Sequence, residues 1–228
     1  MTVYMMSPVP FESWLLDKPI HKPNSDQKDK YFVVSLSGGK DSTLVLISAL
    51  EALDDVKAVI FDAEVYPEKE IEEAVNLAED IEVDYELKET CKLKDERFAS
   101  NPENKCYYCK IQLFDQIGDD RTILEGTNAS EVKGHRPGFE AVKEFARAPL
   151  YEVGIEEKDV RDILKWKGYD IWDKPSYACL ATRFPAGERL TEKKLERIEI
   201  VENEIFSYGV KQLRVRDFGK TARIEVWP

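Results

Sequence analysis

Apolar residues are arranged over the first half of the chain in a pattern that predicts alternating strands and helices. Short apolar runs over residues 31–36, 56–61, 83–87 and 122–124 are typical of buried strands. The segments between these runs have the spacing of helices. Strand, helix, strand and helix in this order predict an α/β fold, with a parallel sheet that carries helices on both faces.

The predicted helices differ in how far they are buried. Residues 43–53 are apolar on almost every side, which is typical of a helix inside the protein. Pro67 begins the next helix, and its apolar residues fall on one face. A third helix begins near Tyr107 and is also apolar on one side. One-sided helices of this kind are expected to cover a sheet.

Beyond residue 150 the pattern changes to that of a smaller α+β domain. Helices are predicted over residues 156–167 and from the N-cap Thr191 to about residue 207. Apolar and charged residues then alternate up to residue 226, which predicts a hairpin. The predicted units are an N-terminal arm over residues 1–29, a first domain over 30–150 and a second domain over 151–228.

The charge of the chain narrows the choice of partners. The 228 residues carry a formal net charge of −12. Such a surface repels a polyanion, so nucleic acid is not an expected partner, whereas a few arginines suffice for a small anionic substrate. No apolar run approaches the roughly 18 residues of a membrane span, and residues 1–10 lack the regions of a signal peptide. We therefore expect a cytoplasmic protein without a membrane partner.

A glycine-rich string joins the first strand to the first helix. Its glycines allow the backbone to approach an anion closely, and the helix start supplies free N–H groups. The two serines add hydroxyl donors, and the aspartate is suited to hold Mg²⁺ between phosphates. The spacing is not that of a Walker loop. The string consists of Ser37, Gly38, Gly39, Lys40, Asp41 and Ser42.

This string resembles the phosphate loop of the PP-loop ATP pyrophosphatases, with a plain glycine-rich turn as the alternative. The resemblance implies a HUP-like nucleotide-binding fold and cleavage of ATP to AMP and pyrophosphate through an adenylated substrate. By position, Phe61 and Asp62 after the second strand and Gly126 after the fourth are expected near the adenine. ATP and Mg²⁺ are thus the first expected cofactors.

The cysteines suggest a second centre, and three kinds of site fit their spacing. Cys106 and Cys109 form a C-x-x-C, and Cys179 stands alone. These three could hold a [4Fe-4S] cluster with one iron left open for an extra sulfide. The same three with His135 or Cys91 could bind zinc. Cys106 and Cys109 could also form a metal-free redox pair.

Several short strings in the second half together resemble the LarE family. These are PP-loop sulfur transferases that act in the synthesis of the nickel-pincer nucleotide cofactor. The resemblance runs from about residue 31 to residue 226, and the string that begins at Cys179 is its most specific part. The strings are EGTNAS at 125–130, RPG at 136–138, APL at 148–150, CLATRFP at 179–185, RVR at 214–216 and ARIEV at 222–226.

The resemblance implies a reaction and a role for the cysteines. In the LarE family a carboxylate of a pyridinium dicarboxylate mononucleotide is adenylated and then attacked by sulfur. Cys179 matches a cysteine that in some members gives up its own sulfur, while other members carry two more cysteines, matching Cys106 and Cys109, and a cluster. With all three present, the resemblance favours the [4Fe-4S] cluster, fed by sulfide or a sulfur donor, in a homo-oligomer. Cys179 and Asp41 are the expected catalytic residues.

A set of charged residues is expected to bind the substrate. Arginines suit bidentate contacts with phosphate or carboxylate, and the glutamates could order them or bind a cation. The runner-up function is tRNA thiolation, because a lysine at the position of Lys40 is familiar from tRNA thiolases, whereas LarE members often have Val there. The expected substrate-binding residues are Lys110, Arg183, Glu202, Arg214, Arg216 and Glu225.

Overall fold

The computed structural model describes residues 31–118, 121–134 and 136–227. The predicted N-terminal arm and His135 lie outside these ranges. Among the helices of the described ranges, none has both the length and the hydropathy of a membrane-spanning segment.

The predicted parallel sheet is confirmed. Four strands pair in the order β3-β2-β1-β4, and every pair is parallel. From β1 the sheet grows in one direction through β2 to β3. The next strand, β4, pairs with the other side of β1, so the strand order reverses between β1 and β4. The strands are β1 (Tyr31–Ser35), β2 (Val56–Asp62), β3 (Tyr85–Glu89) and β4 (Arg121–Leu124).

Helices follow the strands as the apolar spacing predicts. The predicted start at residue 107 lies two residues inside the observed helix α4, a usual error for helix ends. Short 3-10 helices cover Lys92–Lys94, Glu131–Lys133, Asp170–Asp173 and Leu180–Arg183. The α-helices are α1 (Lys40–Ala52), α2 (Glu68–Asp80), α3 (Glu96–Ala99), α4 (Lys105–Ile117), α5 (Pro137–Phe145), α6 (Pro149–Glu152), α7 (Glu157–Trp166) and α8 (Glu192–Phe206).

Successive residues of the strands point into two separate cores, one on each face of the sheet. In β2, Ala58 and Ile60 pack with residues of α1 and α2, while Val59 and Phe61 pack with residues of α4 and α5. This alternation follows from the two-residue period of a strand. Helices therefore cover both faces, as predicted.

Helix α7, which the sequence pattern placed in the smaller domain, packs on the larger one. Val160 and Leu164 are completely buried in the same core as the apolar residues of α1. The helix begins with a capping box formed by Glu156 and Asp159. The packing of the sheet domain therefore continues past residue 150.

A third core joins the C-terminal elements to the carboxyl end of β2. Leu180, Leu195 and Leu213 pack there with Val65. The predicted hairpin is present, formed by β5 (Gln212–Asp217) and β6 (Ala222–Trp227). In β5 every second residue is buried, because α8 packs on this strand. The apolar residues of β6 are not covered in this way and are at least partly exposed.

Candidate active site

A cavity of about 380 Å³ lies at the carboxyl edge of the sheet. Its volume falls within the roughly 300–1,000 Å³ of typical ligand sites. The walls come from the loop over residues 37–42 (the phosphate loop), the end of β2, α2, the first turns of α4, the loop after β4 and residues 174–179. Open α/β sheets bind ligands at this edge, where the strand order reverses.

The phosphate loop is held in shape by its own side chains. The N–H of Ser37 donates to Ser42 Oγ at 3.2 Å, and the two hydroxyl oxygens lie 3.1 Å apart. Gly38 has a φ of +68°, and a Cβ there would lie 3.1 Å from the carbonyl oxygen of Glu70. Gly39 precedes α1 without a side-chain cap. The first N–H groups of α1 thus have no intrahelical acceptor, as in anion-binding loops.

Asp41 lies in the first turn of α1 and is bound from the neighbouring loop. Its Oδ1 accepts a hydrogen bond from Asn128 Nδ2 at 2.7 Å. Burial raises the pKa of Asp41, and the Asn128 bond and the charge of Lys40 offset only part of this rise. At Gly126 a Cβ would lie 2.6 Å from the backbone nitrogen of Ser42, so the two loops pack without space between them.

Three of the four cysteines line the cavity. Cys106 and Cys109 lie one turn apart at the start of α4, and Cys179 lies on the opposing segment. Burial, followed by the charges of Cys109 and Cys106, raises the pKa of Cys179 to about 12. Cys91 is exposed, with its Sγ 3.5 Å from Glu64 Oε1, and takes no part in the lining. The three cysteines that were grouped from the sequence, here called the cavity cysteines, are therefore neighbours.

The donor set of the cavity cysteines can be compared with the expected metal groups. Three thiols on one cavity wall are the type and number of ligands that a four-iron cluster with one open iron takes. Within residues 31–118, 121–134 and 136–227, no group of three Cys, His, Asp or Glu side chains is placed to bind a single metal ion. The zinc alternative that uses His135 falls outside the described residues.

Two buried polar groups contact Cys109, and neither was predicted. Tyr66 Oη lies 3.5 Å from Cys109 Sγ. Lys92 Nζ donates to the carbonyl oxygen of Cys109 at 3.3 Å, and the lysine is completely buried. Burial lowers the pKa of Lys92, although the charges of Cys109 and Glu64 oppose this change. In the sequence Lys92 looks like an ordinary surface lysine, because its burial depends on packing against distant elements.

Arg183 and Glu202 form a buried ion pair behind the cysteine segment. Nε and Nη2 of Arg183 donate to the Glu202 carboxylate at 2.8 and 3.0 Å. Nη1 donates to the carbonyl oxygen of Ala178 at 2.8 Å. Glu202 also accepts bonds from the N–H of Val215 at 2.7 Å and from Tyr177 Oη. The pair therefore ties the segment that carries Cys179 to α8 and β5.

The arginines of the hairpin lie near this pair. Arg216 Nε donates to Glu225 Oε2 at 2.8 Å, and its Nη1 donates to the carbonyl oxygen of Thr182 at 3.1 Å. The Arg214 guanidinium lies over the ring of Trp227. Burial and the charges of Arg183 and Arg216 lower the pKa of Arg214. Cations that repel one another in this way favour a bound anion.

Lys110 forms an ion pair with Glu125 at the side of the cavity. Glu125 also accepts bonds from the backbone and the hydroxyl of Thr127, at 2.9 and 2.5 Å. Burial acts to raise the pKa of Glu125, but Lys110 and Thr127 together lower it. Lys105 and Arg136 line the same cavity and were not predicted. The cavity wall thus contains several cations, of which Lys110 is paired with Glu125 and Arg136 with Glu131.

The structure brings most of the predicted site residues together, but not all of them. Asp62 ends β2 without lining the cavity, and Gly38 supports the loop from behind. The charged residues of the C-terminal unit lie beyond the cavity wall, namely Arg183, Glu202, Arg214, Arg216 and Glu225. The predicted residues that line the cavity are Ser37, Gly39, Lys40, Asp41, Ser42, Phe61, Cys106, Cys109, Lys110, Gly126 and Cys179.

Comparisons with known proteins show what this chain is similar to. The NAD synthase family matches residues 16–107. The chain is 31% identical over 202 residues to the pyridinium-3,5-bisthiocarboxylic acid mononucleotide synthase of Lactiplantibacillus plantarum. That alignment covers 85% of this chain and 73% of the synthase. It is 36% identical over 205 residues to an uncharacterised protein of Synechocystis sp., with 86% and 76% covered. An uncharacterised protein of Methanocaldococcus jannaschii is 26% identical over 206 residues, with 87% and 79% covered.

Proposed function

This chain belongs to the LarE family of PP-loop ATP-dependent sulfur transferases, and we propose that it activates a carboxylate of a small nucleotide-like substrate and replaces one carboxylate oxygen by sulfur. One observation carries the proposal: a phosphate loop and three cysteines line the same cavity. The substrate that we propose is a pyridinium dicarboxylate mononucleotide, the acid that corresponds to the thiocarboxylate named for the Lactiplantibacillus relative.

In the first step, a carboxylate oxygen of the substrate attacks the α-phosphorus of ATP, and pyrophosphate leaves. The phosphate loop offers free N–H groups and two serine hydroxyls to the leaving pyrophosphate. Asp41, oriented by Asn128, is suited to bind Mg²⁺ together with the phosphates. Its pKa is raised by burial, and a bound cation would favour the ionised form.

In the second step, a sulfur nucleophile attacks the acyl carbon of the adenylate, and AMP leaves with the carboxylate oxygen that joined it to phosphorus. Cys106, Cys109 and Cys179 would hold the [4Fe-4S] cluster, which supplies an iron without a protein ligand and therefore a place for the transferred sulfur. A cluster held by these cysteines would lie in the cavity that the phosphate loop also lines, and proximity of the sulfur to the activated carboxylate would contribute much of the rate.

The charges of the cavity suit an anionic substrate. Lys110 and the unpredicted Lys105 and Arg136 line it. Arg214 and Arg216 lie beyond the cavity wall, and we propose that Arg214 contacts the phosphate of a mononucleotide that extends to the hairpin. Donors of Arg216 are bound to Glu225 and to the carbonyl oxygen of Thr182, so we propose that Arg216 holds the hairpin in place. Because the donors of Arg183 are taken up by Glu202 and by backbone oxygens, we propose that Arg183 supports the cysteine segment instead. The net charge of −12 disfavours tRNA as the substrate.

Product analysis tests the proposed function. With ATP, pyridinium-3,5-dicarboxylic acid mononucleotide and added sulfide, the protein purified without oxygen is expected to form AMP and pyrophosphate in equal amounts, because AMP leaves only when sulfur attacks the adenylate. Asp41→Ala is expected to lower AMP formation by roughly a hundredfold or more, since it removes a charge that organises the transition state. Asp84→Ala, at an exposed position before β3, is the matched control. Formation of ADP and phosphate, or AMP formation that depends on tRNA, would contradict the proposal.

A further inference from the structure

Two lysines that are distant in the sequence, Lys40 and Lys174, bind each other's segments. The ammonium group of each donates a hydrogen bond to a backbone carbonyl oxygen in the segment that carries the other lysine. Lys40 Nζ donates to the carbonyl oxygen of Lys174 at 3.0 Å and lies 3.3 Å from Ser176 Oγ. Lys174 Nζ donates to the carbonyl oxygen of Gly38 in the phosphate loop at 2.8 Å. Lys40 is only 2% exposed, so this exchange is enclosed in the cavity wall. These two residues are called the Lys40–Lys174 pair below.

The two ammonium groups have different counter-charges. Lys174 Nζ lies 2.6 Å from Glu73 and 2.9 Å from Glu70, which together hold it in place. Lys40 Nζ has Glu157 at 3.7 Å, beyond hydrogen-bond distance. A phosphate group in the loop would add negative charge beside Lys40, where the ion pair is weaker. Lys40 is therefore the member of the pair that responds to a bound phosphate.

The segment that Lys40 binds carries Cys179 and has no regular secondary structure over residues 174–179. Its backbone hydrogen bonds to other parts of the chain lie at or beside its two ends. Between them, Lys40 binds a carbonyl group at the start of the segment, and Arg183 binds that of Ala178 near its end. Within the segment, side-chain donors therefore take the place of backbone hydrogen bonds, while Cys179 itself packs against the third core.

We propose that Lys40 and Lys174 are positioning residues that couple occupancy of the phosphate loop to the position of Cys179. The proposal rests on the proposed function in one respect, namely that a nucleotide binds this loop. The ammonium group of Lys40 has three N–H donors, so it can bond a phosphate and the segment at the same time. The segment is ordered while ATP or pyrophosphate is bound, and it loosens when pyrophosphate leaves.

Hydrogen–deuterium exchange on the full chain, purified without oxygen, tests this coupling. Saturating α,β-methylene-ATP is expected to slow exchange in a loop peptide, residues 35–43. It is also expected to slow exchange in a segment peptide, residues 174–180, by about tenfold, the factor that one charge-assisted hydrogen bond supplies. In Lys40→Met and Lys174→Met, the loop peptide is still slowed at saturation, but the segment peptide is not.

The matched control is Lys167→Met, which removes an ion pair with Glu51 elsewhere on α1 and is expected to keep both effects. Equal slowing of the segment in Lys174→Met and in the unaltered protein would overturn the coupling. The coupling would also be overturned if, in the unaltered protein, the nucleotide slows exchange in the loop peptide but not in the segment peptide. If the loop itself is not protected, the proposed ATP site is wrong and the coupling falls with it. The two failures are therefore told apart by the loop peptide.

Discussion

Replacement of Glu202 by alanine is expected to destabilise the C-terminal unit strongly. Glu202 is 1% exposed and accepts two hydrogen bonds from Arg183 and one from the N–H of Val215. In the variant, the guanidinium of Arg183 remains buried without a counter-charge, and the N–H of Val215 loses its acceptor. The carbonyl group of Ala178 would then be bound by an arginine that keeps Thr182 Oγ1 and the ring of Tyr177 as further side-chain contacts.

The size of the effect follows from the burial of the pair. Removal of one partner of a buried ion pair costs about 3–5 kcal/mol of unfolding free energy. For a chain of this length, each kcal/mol shifts Tm by about 2–4 °C, so a loss of about 4 kcal/mol lowers Tm by roughly 8–16 °C. The double variant Arg183→Met with Glu202→Leu removes both charges, and it is expected to recover most of the loss.

Urea and thermal unfolding, followed by circular dichroism, measure these differences. Glu204→Ala, at an exposed position on the same helix, is the control and is expected to change the free energy of unfolding by less than about 0.5 kcal/mol. If the losses of the single variants Arg183→Met and Glu202→Leu simply add in the double variant, the two side chains are not coupled. A loss below about 1 kcal/mol in Glu202→Ala would likewise refute the reasoning, since a buried pair costs several times more to break.

Two further predictions concern metal content and pH. Protein prepared without oxygen is expected to contain about four irons per chain. Serine in place of any one of the cavity cysteines should deplete iron, whereas Cys91→Ser should not; one tightly held zinc would contradict the cluster. The second prediction concerns the ion pair of Glu125 with Lys110, which is the main cause that lowers the pKa of Glu125. Because the folded-state pKa is lowered, the pair stabilises the fold at pH values above the ordinary carboxyl pKa. This contribution is lost as the pH falls through the lowered pKa. The difference in unfolding free energy between the unaltered protein and Lys110→Met is therefore expected to be largest near neutral pH and to shrink below about pH 4; a difference that does not change with pH would contradict it.

Local patterns were enough to predict the sheet and the phosphate loop. The apolar runs of β1, β2 and β4 are short and largely buried, and runs of this kind can be recognised from their composition alone. The edge strand β3 is more exposed, with Leu87 49% exposed, and it begins two residues later than the predicted run. The glycines and serines of the loop over residues 37–42 set the conformation of their own stretch of backbone, so the shape of the loop can be predicted from their spacing in the sequence. Gly126 follows the same logic, because only glycine allows the loop after β4 to approach Ser42 so closely.

Contacts between distant elements were not predictable in the same way. Arg183 and Glu202 were both selected from the sequence, but as substrate-binding residues, because nothing in their spacing shows that a 3-10 helix would be packed against α8. The buried Lys92 and the partly buried Lys174 were missed, since such lysines differ from exposed ones only through their tertiary neighbours. Helix α7 has an ordinary amphipathic pattern. Such a pattern predicts that one face is buried, but not which core that face packs into.

The topology of the sheet has a consequence for the order in which the cavity is built during synthesis. Strand β4 pairs with β1 although two other strands are made between them, and the N–H of Leu180 donates to the carbonyl oxygen of Val65 at 2.8 Å. Contacts of such large sequence separation form late in folding, since the loops between them must first be closed. The phosphate loop and the first two cavity cysteines therefore leave the ribosome well before the walls that enclose them. The thiols of Cys106 and Cys109 are therefore expected to be exposed to water in the nascent chain until the C-terminal unit folds over them.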